Sequence, residues 1–230
     1  MRRLFPLVLA FTLLFVGVPP ISARDTISVY YAGPEGGART ALSLASNFEI
    51  VADPSQADVF LLNGVIPDPE RVAARVRAGA GLVLILGPAL TAPEVEALWG
   101  AAVTLERRDD PVSLTSAPGV SDPVVTEIIW NSAPQIRERF QLGGGGLEPL
   151  AEGFEDGALI LGAANVGSGR AFVFTPFLDD ANPQFQEWAY FNYFIYHLTA
   201  QAGGRTPLSF DIRASAFAEA RSLTEERVKL

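Results

Sequence analysis

The chain has 230 residues, 49% of them hydrophobic and 19% charged, with no cysteine, one histidine and a formal net charge of −9 at pH 7. The missing cysteine excludes a disulfide framework, a thiolate nucleophile and a cysteine zinc site. An excess of acidic over basic side chains, 26 against 17, sets the chain against nucleic acid and anionic lipid as partners, and a core of this size holds one α/β domain without staples.

Segment 1–23 reads as a bacterial-type secretory signal peptide. Arg2 and Arg3 form a positive n-region, Leu4 to Val18 is an uncharged and mostly apolar run, and Pro19 to Ala23 supplies a small residue before a cut at Arg24. The alternative is a retained membrane anchor. The run is short for a span, and Pro6 and Gly17 weaken a helix there, so cleavage is the expectation. No cysteine follows to carry a lipid.

Ile27 to Tyr31 is a β-branched and aromatic run ended by Gly33-Pro34, a first strand. Glu35 to Ser46 carries Ala38, Ala41, Leu42 and Ala45 at helical spacing. Phe48 to Ala52 is a second strand, and Asp58 to Leu62 a buried third strand ending at Asn63-Gly64. A helix opens at Pro67-Asp68-Pro69 and stops at Gly79-Ala80-Gly81. Leu82 to Leu86 is the most apolar strand of the chain. Continuous apolar strands alternating with helices predict a parallel sheet covered on both faces.

A helix over Pro93 to Trp99 precedes a strand over Ala102 to Leu105, and Val124 to Trp130 reads as another strand. Gly143 to Gly146 lacks the flanking strand and helix of a phosphate cradle, so it reads as a loop. Ala158 to Ala164 and Arg170 to Thr175, joined through Gly167-Ser168-Gly169, form a predicted β-hairpin. One helix is expected from Gln184 to Ala202, closed by Gly203-Gly204, with a tail over 205–230. The domain is therefore bounded at 24–204, an α/β unit with a flavodoxin-like, mostly parallel sheet, helices on both faces, a late hairpin and an aromatic terminal helix.

The order of elements resembles the class I glutamine amidotransferase-like superfold and, within it, the ThuA-like group. The resemblance rests on Asp58–Gly64, on the helix leading into Ala80–Gly87, and on the hairpin Gly167–Phe177 with the helix behind it. It covers roughly residues 26–203. The resemblance implies a nucleophile elbow of the form Gly-x-Cys-x-Gly after the fourth strand and a His-Pro-Glu after a late strand. The matching stretches here are Gly87-Pro88-Ala89-Leu90-Thr91 and Thr175-Pro176-Phe177, which place Ala89 and Thr175 where cysteine and histidine belong. The triad of the parental chemistry is missing on that alignment, and no cofactor is implied.

Ligands of open α/β sheets bind outside the carboxyl ends of the strands. The candidate ligand-binding residues there are Asn63, Asp179, Asp180 and Asn182; the oxygen groups at 179–182 suit sugar hydroxyls or a hard cation such as calcium, although their spacing fits no EF-hand loop. The competing reading is that Asn182-Pro183 simply starts a helix. Between Phe185 and Tyr196 lie seven aromatics. Trp188, Phe191, Ile195 and Leu198 form a stripe that packs on the sheet, whereas Tyr190, Phe194 and His197 form a second one. That second stripe is covered either by the rest of the chain or by a partner, since aromatics are enriched where proteins meet.

Taken together, the expectation is an exported, non-catalytic binding or assembly module at the outer face of the cytoplasmic membrane, with a membrane-associated or envelope protein as partner. A ThuA-like carbohydrate-modifying enzyme using the Asp179–Asn182 carboxylates, and a soluble binder of a small polar ligand, stand as alternatives.

Overall fold

The computed structural model describes residues 26–178 and 180–205. Its organising unit is an eight-stranded sheet. Strands β1 (Ile27–Ala32), β2 (Phe48–Val51), β3 (Val59–Asn63) and β4 (Gly81–Ile85) are separated by helices α1 (Gly37–Leu44) and α2 (Pro69–Arg77), and α3 (Ala92–Trp99) follows β4. The chain then forms β5 (Val103–Arg108), β6 (Leu114–Ser116), a short helix α4 (Pro123–Thr126), β7 (Arg139–Gly144) and β8 (Glu148–Gly153). The hairpin β9 (Leu159–Val166) and β10 (Gly169–Phe174) precedes α5 (Pro183–Glu187) and α6 (Phe191–Ala202).

The sheet runs β2-β1-β3-β4-β10-β9-β8-β6. Its first five strands are mutually parallel, in the flavodoxin-like order. The last three are antiparallel additions. β5 and β7 form a separate antiparallel ribbon. Every residue of β3 and β4 is buried, the consequence of helices lying on both faces. α1 and α6 cover one face, where Val29, Leu61, Val83 and Phe172 point. α2, α3 and the ribbon cover the other, where Phe60, Leu82, Leu84 and Val173 point.

Local chemistry sets the helix starts. The Asp68 carboxylate accepts from Arg71 N at 3.3 Å, with Pro69 in the first turn. Before α3, the Thr91 amide and hydroxyl both donate to Glu94, at 2.9 and 2.7 Å. The hydrogen bonds from Thr91 hold the Glu94 carboxyl below its ordinary value.

Besides the unforeseen strands β6, β7 and β8, three features differ from what the sequence predicts. Val124–Trp130 is not a strand: Asp122 caps Val124 N at 2.9 Å and Pro123 follows, so capping overrides the β-branched run and gives α4. The terminal helix is two helices, broken at Trp188–Tyr190, where the Trp188 indole donates to Ser132 Oγ at 3.1 Å. The break lets Phe185 stack on Phe174 at 5.3 Å while Phe194 packs on the same ring at 5.1 Å. Finally, the four-glycine run ends β7 and turns into β8. Gly144, Gly145 and Gly146 all adopt positive φ, which glycine supplies at least cost.

Candidate functional site

The carboxyl ends of the parallel strands are the place to look for a ligand, above all between β1 and β3, where the connections part to opposite sides. At that crevice the neighbouring loops approach one another closely. Gly33 has φ 146°, and a Cβ there would lie 2.5 Å from the Asn63 carbonyl oxygen. A Cβ on Gly87 would lie 2.5 Å from the Gly64 Cα. The loops after β1, β3 and β4 therefore meet backbone to backbone, an approach only glycine permits. At the mouth, the Tyr31 hydroxyl donates to the Pro34 carbonyl at 2.6 Å and accepts from Asn63 Nδ2 at 3.5 Å. Burial, the largest influence, raises the Tyr31 pKa above its ordinary value, against the opposing hydrogen bond from Asn63. The first amide of α1, Gly37 N, donates to Gln186 Oε1 at 3.1 Å, so a side chain of α5 already occupies that helix terminus.

Ala89 and Thr175 lie just beyond the ends of β4 and β10. Ala89 is an exposed methyl in the turn after β4. Thr175 is fully buried, and its hydroxyl donates to the Leu159 carbonyl at 2.8 Å.

The predicted ligand residues divide. Asn63 is buried with 4% exposure and faces Tyr31. Asn182 is equally buried and works as a bracket. Its Oδ1 accepts from Arg137 N at 2.7 Å and from Glu138 N at 3.4 Å. Its Nδ2 donates to the carbonyls of Glu138 and Phe177 at 2.8 and 2.9 Å. The amide is thereby spent on backbone groups, which corrects the ligand role given to it, and it makes no side-chain cap for α5. Asp180 is exposed beside it, and Asp179 lies outside the described residues.

The second aromatic stripe also needs correction. Phe194 and His197 are fully buried, so neither presents a surface to a partner. Phe194 packs edge-on against Trp130 at 5.7 Å. His197 lies 4.0 Å from the Tyr193 ring, with Nε2 3.3 Å from a Glu127 carboxylate oxygen that also accepts from the Tyr193 hydroxyl. α4 and the turn behind it cover the helix, an element the sequence reading had drawn as a strand. Tyr190 is half-buried against Trp188.

The feature missed from sequence is Arg139. Its side chain is fully buried, donating to the Asp110 carbonyl at 2.5 Å, the Asp110 carboxylate at 3.1 Å and the Asp156 carboxylate at 2.7 Å. A buried guanidinium is costly unless paired this way. Hydrogen bonds from Arg108 first, and Arg139 second, hold the Asp110 carboxyl down at about 2. Only the strand pairing that joins β7 to its neighbours brings these residues together, and no local signal announces it.

Two concavities lie away from these strand ends. One of about 300 Å3 opens at the amino ends of the strands beside Asp58, Arg75 and Arg205. Another of about 440 Å3 is shallow and bordered by Asp122, Glu148 and Pro149. Among the described residues no group of three or more histidines or acids is arranged to hold a metal ion.

No protein-family model matches the chain, and no curated protein matches it in sequence. Solved structures do match. The chain is similar to the cytoplasmic protein STM1381 of Salmonella typhimurium LT2, with a TM-score of 0.61 and 14% identity over 76% of this chain and 99% of that one. It is similar to STM3548 of Salmonella typhimurium, with a TM-score of 0.58, 14% identity and coverage of 76% and 98%. A ThuA-like protein of Parabacteroides merdae matches with a TM-score of 0.53 and 13% identity over 80% and 92%. At such identities the likeness defines the fold: a mixed α/β domain with a mostly parallel, flavodoxin-like sheet, shared with a ThuA-like protein.

Proposed function

We propose that this chain is a non-catalytic binding or assembly domain of the ThuA-like, amidotransferase-related kind, exported to the outer face of the cytoplasmic membrane. The observation that carries the reading is the turn after β4. In the resemblance this is the nucleophile elbow, and here it is Gly87-Pro88-Ala89, with an exposed methyl in place of a nucleophile and Gly87 pressed against Gly64. Acyl transfer of that type needs an activated nucleophile within reach of a base. The chain has no cysteine, and its one histidine is buried against Glu127. Export rests on Arg2, Arg3 and the apolar run that follows them. No helix among the described residues is long and apolar enough to cross a membrane.

The carbohydrate-enzyme alternative is weakened because Asn182 is committed to the backbone. It now rests on Asp179 and Asp180 alone. The test is direct. Purified protein incubated with glutamine, simple esters and neutral sugars gives no product above buffer, and Ala89→Cys does not create any. Turnover abolished by Asp180→Asn would replace this reading with the enzyme one. Native protein recovered from the producing cell should begin near Arg24; an intact Met1 would remove the exported half of the proposal.

A further inference from the structure

The turn between β8 and β9 is fixed from several directions. Gly153 N donates to the Ala158 carbonyl and Gly157 N to the Gly153 carbonyl, each at 2.8 Å. Phe154 N donates to the Ser113 carbonyl at 2.9 Å. Both Glu155 carboxylate oxygens accept from Ser113, from its amide and its hydroxyl, each at 2.7 Å. Asp156 accepts from Ala158 N at 3.0 Å and from the buried Arg139 at 2.7 Å. Space is equally tight: a Cβ on Gly153 would lie 2.3 Å from Asp156 Oδ1.

At the tip of this braced turn, Phe154 stands 75% exposed. Single exposed hydrophobic residues are common and need no explanation. What sets Phe154 apart is that the fold buries a guanidinium and uses two carboxylates to hold the backbone that presents it. A rigidly held aromatic binds with little further loss of chain entropy, and aromatic anchors carry much of the energy of protein interfaces. The side chains within two positions of Phe154 include Glu152, Glu155 and Asp156 and no base.

We infer that the Gly153–Gly157 turn is a docking point for a protein partner that offers an apolar pocket rimmed by lysine or arginine. The inference rests on the binding reading above and names its surface. Asp156 is paired with Arg139, so an anionic lipid surface would be repelled by Glu152 and Glu155, and a second copy of this chain would bring those two acids face to face.

The test places the photo-crosslinking residue p-benzoylphenylalanine at position 154 of the full chain in the producing cell, with matched chains carrying it at positions 89 and 190. Irradiation from 154 is expected to give an adduct with a peptide of another protein that bears basic residues. With that protein purified, Phe154→Trp keeps the affinity within about threefold, whereas Phe154→Ser loses at least about tenfold. Both variants melt at the wild-type temperature, and raised salt weakens binding. A lipid adduct, a self-adduct, no adduct from 154, or indifference to Phe154→Ser overturns the inference. Protein adducts from 89 or 190 alone would overturn the turn assignment and leave the binding reading standing. An absence of protein adducts at all three positions, together with substrate turnover, would overturn both.

Discussion

The two halves of the sheet solve different problems. In the parallel half, β2, β1, β3, β4 and β10, stability comes from apolar burial on both faces, and the loops after β3 and β4 meet at Gly64 and Gly87. In the antiparallel half, β9, β8 and β6 with the β5–β7 ribbon alongside, a buried arginine and its two carboxylates tie together segments far apart in sequence. A sheet of this class usually keeps its chemistry at the ends of the parallel strands. Here the costly polar construction lies beside the added strands, around the buried Arg139. One fold can host different tasks on different surfaces.

The sharpest way to break this contrast is at Leu84, fully buried in the central strand β4. Leu84→Asp should abolish folding, and Leu84→Ala should cost roughly 2–5 kcal/mol in denaturant titrations. Leu105, only partly buried in the ribbon, should cost distinctly less when cut to alanine. Equal losses would mean the halves are not energetically different.

Arg139→Met should destabilise by about 3 kcal/mol, the low end for breaking a buried pair, because Asp110 and Asp156 reach solvent. Hydrogen exchange should then quicken in 110–114 and 153–158 while β3 and β4 stay protected. Uniform loss of protection would deny the antiparallel half its separate character.

Asn182→Ala leaves backbone groups of Arg137, Glu138 and Phe177 without their partner and should cost about 1–3 kcal/mol. Asn182→Asp keeps the acceptor but turns a buried carboxylate oxygen toward the Glu138 and Phe177 carbonyls, so it should cost at least as much as alanine. A neutral alanine variant would return Asn182 to the candidate ligand residues.

The smallest effect is one of pH. The folded Asp110 carboxyl is depressed to about 2 from an ordinary 3.8. A depressed acid contributes stability that is present above its unfolded value and lost as pH falls through the folded one. Its contribution should therefore fade between about pH 4 and pH 2. Asp110→Asn should flatten that part of the acid-stability curve, measured by thermal melting, and an unchanged curve would mean that the ion pair contributes nothing.

The parallel half was legible in the sequence because its signals are local. Runs such as Asp58–Leu62 and Leu82–Leu86, punctuated by glycine and proline, gave β3, β4 and their neighbouring helices within a residue or two, and the hairpin turn at Gly167-Ser168 was visible too. What stayed hidden is non-local. β8 contains Pro149 and alternates poorly, and it becomes a strand only by pairing with β9 across a register shift. Trp130 looked like the end of a strand because aromatic content outweighed the Asp122-Pro123 capping signal. The candidate site suffered the same limit. Asn63 and Asn182 were rightly placed near strand ends, but nothing local tells a ligand amide from a structural bracket. The covering of Phe194 and His197 depended on α4.

If the domain is non-catalytic, as proposed, no glutamine or sugar is expected to bind or react at the ends of the parallel strands. An amide-resolved NMR titration of the purified protein with glutamine and neutral sugars tests it most directly. The account predicts no saturable shift at Gly33, Gly64, Gly87 or Ala89 and no product in the tube. Saturable shifts at those amides, accompanied by turnover that Asp180→Asn removes, would contradict it.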